Sequence, residues 1–380
     1  MKKTILLIFI LLISLFTLTG CNYKRGIDEY YFIISLGLDK SDNNLLKINV
    51  QISSTASESS TGSSDTSQAS EYQIYSVEAR TIDEGISILN NYLNKQINLS
   101  HCSTLIISEE LAKEGIKPYI STLSNNSELR HSCEVIISSS TSYDLMSKVA
   151  NSGEVFSARL YDYLTTSTEY TGYTIQASFG NFFQALDNDY YEPTAIYATV
   201  LDNTIQSDGI AIFKNHYMVG HINVSDSIAH LIVTDELNTC TITTDSPFDE
   251  DELLDLEVSL YKHTKIDVEL VNGSPLISIS VYPQGTIRSS GSNFNYISNE
   301  NIKLVENSVN SYLERLLKEY LYAISKEFNS DIVGFEGLYR SKFTTKEDFD
   351  KCHWDEIFQD SFFNVTVDTK INSSNLFNKE

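Results

Sequence analysis

One cysteine near the start of the chain stands in a context that could accept a lipid. Residues 18–21 read Leu-Thr-Gly-Cys and match the bacterial lipobox pattern, in which small residues let the chain lie extended in a peptidase cleft. The Cys21 thiolate is the one good nucleophile there for accepting a diacylglyceryl group. We therefore predict signal cleavage between Gly20 and Cys21 and lipidation of Cys21.

The residues before this cysteine are typical of a signal peptide. Lys2 and Lys3 are followed by an apolar run, Ile5–Leu18, that is too short to span a bilayer. The prediction is a lipoprotein signal peptide over residues 1–20. An ordinary secretory signal with a chance cysteine is the alternative.

Other side chains that could support catalysis do not form a recognised motif. The sequence has no GxSxG, HExxH or GxxxxGK[ST], and no GxGxxG follows a predicted strand. His216 and His221 are five positions apart, which does not place two metal ligands on one strand face or one helix turn. Asp245–Asp255 is acidic but lacks the glycine and spacing of an EF-hand, so acids opening a helix explain it better than a calcium loop. We expect no catalytic residue, no metal and no cofactor, and ligand-binding residues stay unknown.

Four further cysteines occur without any CxxC spacing: Cys102, Cys133, Cys240 and Cys352. A zinc site or disulfide framework is not indicated, and small buried apolar residues are the main interpretation. A contact between Cys102 and Cys133 is the alternative, because each precedes a similar apolar run. Their redox state is left open.

The charge of the chain limits its partners. The formal net charge is −24 over 380 residues, and removal of a leader carrying two lysines and no acids leaves about −26. Phosphates and anionic headgroups should repel such a chain, which argues against nucleic-acid binding. Membrane attachment must then come from the lipid, and two acyl chains suffice for stable anchoring.

The first part of the chain predicts a sheet with crossover helices. Strand Tyr30–Leu38 and the alternating segment Leu46–Ile52 are expected to form a hairpin. Residues 53–70 are Ser-rich and too polar to offset their ordering entropy, which predicts a flexible surface loop. A strand is predicted at Tyr72–Val77, followed by a helix capped by Thr81 with Glu84. Parallel strands are predicted at Thr104–Ser108 and Val135–Ser138, separated by helices that are interrupted near Pro118. A further helix is predicted at Tyr143–Ala150.

The second part predicts longer elements. Asn151–Pro193 has weak periodicity and is interpreted as the connection between halves, before short strands at Ala195–Leu201, Gly209–Lys214 and Tyr217–Ile222. A hairpin of two long strands, Leu256–Val271 and Leu276–Arg288, is predicted around an Asn-Gly turn. Asn301–Phe328 predicts the clearest helix, with one apolar face: Val305, Val309, Tyr312, Leu313, Leu316, Leu317, Tyr320, Leu321 and Ile324. Trp354 and Phe358 are expected to form a core pair, and Phe363–Ile371 a closing strand.

The expected fold class is α+β, with mixed sheets and packed helices in two or three subdomains and a long amphipathic helix in the C-terminal half. The predicted domains are the signal peptide 1–20, an N-terminal domain 21–193 that contains the flexible loop 53–70, and a C-terminal domain 194–380.

Several segments, in order, resemble the Ger(x)C (GerAC-like) family, the C-subunits of spore nutrient germinant receptors. They are Ser35–Lys40 (SLGLDK), Thr81–Ile86, His101 before Leu105–Ile116 (LIISEELAKEGI), Asp208–Lys214 (DGIAIFK), Ser330–Phe335 (SDIVGF), Tyr339-Arg340, Trp354 and Val365–Val367. The sequence departs from the family pattern after the lipid cysteine, where Asn22–Gly26 replaces a Trp-Asp-Arg-Arg-Glu segment, and at Glu336, where the family has glycine.

The resemblance implies a non-enzymatic lipoprotein on the outer face of the spore inner membrane. Its expected partners are the integral-membrane A and B germinant receptor subunits and the membrane itself, through the diacylglyceryl anchor. A solute-binding lipoprotein of an import system is the runner-up, and a surface hydrolase is disfavoured by the missing motifs. The germinant and the stoichiometry are left open, as is whether this subunit binds a small molecule.

Overall fold

The computed structural model describes residues 5, 26–53, 72–150, 168, 170–201, 204–249, 251–290 and 298–374. Gly20 and Cys21 lie outside these residues, as do the signal peptide apart from residue 5 and the Ser-rich loop apart from Ser53. Among the described helices, none is both long enough and apolar enough to cross a membrane.

Nine strands of the described chain form the first sheet: β1 (Tyr30–Lys40), β2 (Leu46–Ser53), β3 (Tyr72–Ala79), β4 (Gln96–Asn98), β5 (Thr104–Ser108), β6 (Glu134–Ser138), β7 (Thr194–Leu201), β8 (Thr204–Lys214) and β9 (Tyr217–Ile222). The order is β3-β2-β1-β5-β6-β7-β8-β9, with β4 beside the start of β1. The central strands β1, β5, β6 and β7 are parallel, and an antiparallel pair flanks them on each side.

Burial explains the parallel centre of this sheet. Every residue of β5 is buried and all of β6 except Glu134, as expected for strands covered by helices on both faces. The predicted β1–β2 hairpin is confirmed, with Leu36 opposite Val50 and Leu38 opposite Ile48. The predicted parallel crossover between β5 and β6 is also confirmed.

In the described part of the chain, five helices accompany the first sheet: α1 (Ile82–Tyr92), α2 (Glu109–Glu114), α3 (Lys117–Ser124), α4 (Ser142–Ala150) and α5 (Phe179–Leu186). The Thr81 hydroxyl caps α1 by accepting the Glu84 N–H at 3.1 Å, and the Glu84 carboxylate accepts the N–H of Arg80 at 2.8 Å. Pro118 lies in the first turn of α3, where a missing N–H costs least, so the predicted interruption is confirmed.

The second sheet contains β10 (Cys240–Asp245), β11 (Leu253–Val271), β12 (Ser274–Ser290), β13 (Phe362–Val367) and β14 (Lys370–Ser374). Strands β11 and β12 form the predicted long hairpin. Its turn residues Asn272 and Gly273 have φ values of 55° and 87°, as a type I′ turn requires. Strands β13 and β14 run parallel to β12.

Further α-helices among the described residues are α6 (Val224–Val233), α7 (Asn299–Tyr322), α8 (Phe335–Arg340), α9 (Lys346–Asp350) and α10 (Trp354–Ile357). The predicted apolar face of α7 is buried apart from half-buried Tyr312. It packs in one continuous core with α6, the second sheet and one face of the first sheet. Trp354 and Phe358 are buried in that core with ring centroids 6.0 Å apart, as predicted. The α+β fold class with its long C-terminal helix is confirmed.

Three sequence interpretations require correction. The predicted connection Asn151–Pro193 contains α5, which Ser178 caps and which buries Phe179, Phe182 and Ala185. Helix α6 and strand β10 were not predicted. The acids of Asp245–Asp255 do not open a helix. The described residues there form a turn from β10 to β11, closed by a 2.8 Å hydrogen bond from Ser246 N–H to the Glu252 carbonyl.

Strands β7–β9 extend the first sheet as far as Ile222. Residues that the sequence analysis assigned to the start of the second domain therefore continue the sheet of the first. The domain limits at 193 and 194 stay a prediction.

Candidate functional site

The segments that resemble family motifs are brought together at two places, and the first is the end of β1. The Asp39 side chain is buried there and accepts hydrogen bonds from Ser142 N–H at 2.6 Å, Ser142 Oγ at 2.9 Å and Asn49 Nδ2 at 2.8 Å. Asp39 therefore ties β1 and β2 to the beginning of α4. A Cβ on Gly37 would collide with Ser142 and Met146, so glycine is required for this close approach.

Lys40 connects two of the motif segments. Its ammonium lies 3.3 Å from the Glu110 carboxylate and pairs also with Glu114, both on α2. These partners raise the pKa of Lys40, chiefly through the hydrogen bond to Glu114. Because the pair is solvent-exposed, we assign it a role in orientation more than in stability.

The histidines singled out by the sequence pack against aromatic rings. His221 lies on Tyr197 with ring centroids 4.0 Å apart, and His216 lies on its neighbour Tyr217 at 4.1 Å. His101 stacks on Phe32 at 4.3 Å. No cluster of three His, Cys, Asp or Glu side chains able to hold a metal occurs in the described part of the chain.

The second meeting place joins the end of β8 in the first sheet to the segment that leads from α7 into α8. We call it the junction: Tyr191–Glu192, Phe213–Lys214 and Asn329–Glu336. Ser330 Oγ donates to the Phe213 carbonyl and Lys214 Nζ to the Asn329 carbonyl, each at 2.6 Å. The Glu192 N–H donates to the Asp331 carbonyl at 3.0 Å. The ends of the DGIAIFK and SDIVGF segments are thus hydrogen-bonded to each other.

Asp331 organises its own side of the junction. Its buried carboxylate accepts the N–H groups of Gly334 at 2.9 Å, Phe335 at 3.0 Å and Glu336 at 2.7 Å, which lie at the start of α8. Burial raises the pKa of Asp331 to about 6, against the lowering effect of these donors. Gly334 has a φ of 85°, a left-handed conformation that glycine adopts without strain.

A polar cavity of about 460 Å³ opens beside the junction. Carboxylates from separate segments face it, namely Asp189, Glu192, Asp331, Glu336 and Asp355, and the cations Lys117, Lys214 and Lys346 also line it. Burial raises the pKa of Glu336 to about 8, and the nearby Asp355, Asp331, Glu192 and Asp189 carboxylates add to the rise. Lys346 pairs with Asp189 at 2.9 Å.

A second cavity of about 520 Å³ lies across Tyr191 and Glu192 from the first. Its lining is mixed, including Phe182, Ile332, Thr234 and His230. His230 Nδ1 is engaged by the Tyr320 hydroxyl at 2.7 Å. Neither of these two cavities has a serine or cysteine in its lining, so neither places such a nucleophile beside a histidine.

Comparison with known proteins identifies the class. Residues 23–200 match the family described as spore germination protein N-terminal domain, and residues 208–375 match the family described as spore germination B3/GerAC-like, C-terminal. The chain therefore belongs to the GerAC-like, or Ger(x)C, spore germination family.

Individual relatives match over nearly their full length. Spore germination protein KC of Bacillus subtilis is 22% identical, with 100% of this chain and 98% of the relative covered. Spore germination protein GerQC of Bacillus cereus is 22% identical over 98% and 99%. The putative spore germination protein YfkR of Bacillus subtilis is 21% identical over 95% and 94%. The crystal structure of the GerBC protein has the same fold, with a TM-score of 0.58 at 20% identity, covering 88% of this chain and 96% of that one.

The comparisons test some of the sequence predictions and leave others untested. The family resemblance is confirmed. The two sheets differ in size and strand order, whereas the runner-up class of solute-binding lipoproteins needs two similar lobes around a cleft. The lipidation site at Gly20 and Cys21 stays a prediction. The sequence did not predict the junction, because the hydrogen bonds that connect its separate segments join residues far apart in the chain.

Proposed function

We propose that this chain is the lipid-anchored C-subunit of a spore nutrient germinant receptor. It would stand on the outer face of the spore inner membrane and assemble with the integral-membrane A and B subunits. The support is the match of both family domains, in order, together with full-length relatives named as spore germination proteins. The lipobox at Cys21 supports the anchor, and the net charge of −24 leaves the lipid as the main attraction to an anionic surface.

One observation favours a non-enzymatic, scaffolding role: the polar residues of the family motifs form hydrogen bonds within the fold. Asp39, Lys214, Ser330 and Asp331 direct their polar atoms at neighbouring backbone or side chains and so connect elements of the fold. Hydrogen bonds of this kind keep the elements of the fold, and so the surface they form, in a fixed arrangement. We infer that the subunit contributes a rigid, correctly shaped body to the receptor.

The predicted anchor would hold this body close to the membrane. Between Cys21 and Tyr30, where β1 begins, a fully extended chain reaches about 30 Å. Tethering on this scale raises the local concentration of the subunit beside embedded partners to roughly millimolar.

Co-purification tests the proposal. An affinity tag after Glu380 should recover A and B subunits from detergent-solubilised spore membranes, and deletion of the gene should abolish germination by one nutrient class. Germination by agents that bypass the receptors should stay normal. Recovery of the tagged chain with transporter ATPases, and normal nutrient germination of the deletion strain, would instead support the import alternative.

A further inference from the structure

Two cysteines lie side by side at the starts of neighbouring parallel strands. Thr104 of β5 is paired with Glu134 of β6, and the Glu134 N–H donates to the Ser103 carbonyl at 2.9 Å. Cys133 immediately precedes Glu134, Cys102 lies two residues before Thr104, and one cluster of buried residues contains both cysteines. The two thiols interact directly, so the alternative that the sequence left open, a contact between Cys102 and Cys133, is the arrangement observed.

The surroundings keep both thiols protected. Cys102 is 1% exposed and Cys133 is 0% exposed. The Cys102 thiol also donates to the Thr104 carbonyl at 3.4 Å. A hydrogen bond between the two thiols, reinforced by burial, raises the pKa of Cys133. Burial and the raised pKa make these thiols slow to react with external reagents while the fold stays closed.

We propose that Cys102 and Cys133 form a reversible disulfide that locks the starts of β5 and β6 together. The co-reactant is a low-molecular-weight disulfide such as oxidised glutathione. One cysteine, as its thiolate, attacks a glutathione sulfur and releases one reduced glutathione. The other cysteine loses its proton to solvent, attacks the resulting mixed disulfide and releases the second. Two protein thiols are oxidised and one glutathione disulfide is reduced.

The bond would connect the ends of a segment that contains α2 and α3. A covalent link there reduces the conformational freedom of the unfolded chain, so the oxidised protein should be more resistant to unfolding. The bond would also fix the strand next to β1, whose end contains Asp39. Because the thiols are buried, exchange needs local opening and should be slow.

The disulfide proposal rests on the proposed function in one respect, which is the supply of an oxidant. The proposed function implies an exported chain, and an exported chain is exposed to low-molecular-weight disulfides. The geometry does not depend on it. The test below is read from the purified protein, so its failure would leave the germination proposal standing, and failure of the germination proposal would leave this pair intact.

The experiment treats the full chain, solubilised in mild detergent, with oxidised glutathione in urea below the unfolding midpoint. Free thiols are then blocked, and the protein is digested and mapped by mass spectrometry. We expect a linked Cys102–Cys133 peptide about 2 Da lighter than the sum of its two reduced peptides. We also expect the unfolding temperature to rise by about 5 °C, reversibly with reductant.

Alanine variants provide the controls. Cys102→Ala and Cys133→Ala should each lose the linked peptide and the temperature shift. Cys240→Ala should retain both, because Cys240 is equally buried but lies in the other core cluster. Persistently reduced Cys102 and Cys133 while Cys352 forms a glutathione adduct would overturn the proposal. So would linked peptides that join either cysteine to Cys240 or Cys352 in preference to each other.

Discussion

The Tyr320 hydroxyl and His230 Nδ1 lie 2.7 Å apart in the interior, where the long helix α7 contacts α6. Both side chains are buried, and burial lowers the pKa of His230 to about 4. The imidazole is therefore neutral near pH 7, and its Nδ1 and the Tyr320 hydroxyl share a hydrogen bond. This hydrogen bond connects the helix that covers the second sheet with one that packs against β8 of the first sheet.

Replacement of Tyr320 should test that connection. Tyr320→Phe removes the hydroxyl and leaves a buried imidazole nitrogen without its partner, so the free energy of unfolding should fall by about 1–3 kcal/mol. Urea unfolding measures the change. Tyr322→Phe is the matched control, because Tyr322 is 37% exposed on the same helix, and its effect should stay within about 0.5 kcal/mol. Equal effects of the two changes would show that the buried hydrogen bond contributes nothing.

The junction carboxylates should make stability depend on pH. The pKa of Glu336 rises from 4.5 in the unfolded chain to about 8 in the folded protein. Between these pH values the folded protein retains a proton that the unfolded chain has lost, so this group makes stability fall as pH rises. Glu336→Gln should therefore be increasingly more stable than the natural chain from pH 6.5 to 8.5. Measuring above pH 6.5 avoids the titration of His230 and stays above the midpoint for Asp331.

The control for this prediction is Glu347→Gln, at an exposed position on α9. The difference in the free energy of unfolding between this variant and the natural chain should stay constant from pH 6.5 to 8.5. A difference in the free energy of unfolding between the Glu336→Gln and natural proteins that stayed constant at every pH would contradict the raised pKa of Glu336.

A charge on the buried face of α7 should unfold the C-terminal half. Leu313 and Leu317 are 0% exposed, so Leu313→Asp or Leu317→Asp places an unpaired charge in the core at a cost of several kcal/mol. Leu304→Asp on the same helix is the control, because Leu304 is 47% exposed. Circular dichroism during thermal unfolding would distinguish them. Cooperative unfolding of either core variant at the natural temperature would show that the helix packs otherwise.

The contrast between α7 and α6 shows what the sequence can predict. The apolar face of α7 repeats over a long stretch at the helical period, so its position follows from local pattern alone. Helix α6 is apolar on nearly all sides, with Ser227 through Val233 buried, and such a segment has no periodicity to detect. The turn at Asn272 was predictable because its φ requirement selects particular residues.

The junction shows the opposite limit. The hydrogen bond from Ser330 to the Phe213 carbonyl depends on a serine and on a backbone atom that carries no sequence signal. Motif resemblance identified both segments, but their contact is a property of the folded chain. The same holds for Cys102 and Cys133, where similar flanking runs indicated the pairing only weakly.

The Ser-rich segment should be dispensable for folding. Residues 57–68 lie outside the described residues and contain almost no apolar side chains, so their deletion should change the free energy of unfolding by less than about 2 kcal/mol. Thermal unfolding of the shortened chain tests this directly. A larger loss would mean that the segment packs against the body.

We propose that a lipid on Cys21 holds this germination protein at the membrane beside its partners. The decisive measurement is fractionation of dormant spores that carry Cys21→Ala, paired with fatty-acid labelling of the natural chain and with nutrient germination rates. We predict that the natural chain incorporates label and sediments with membranes. The variant should lose label, membrane retention and most nutrient germination, while germination by receptor-independent agents stays normal. An unlabelled natural chain, together with full membrane retention of the variant, would contradict the claim.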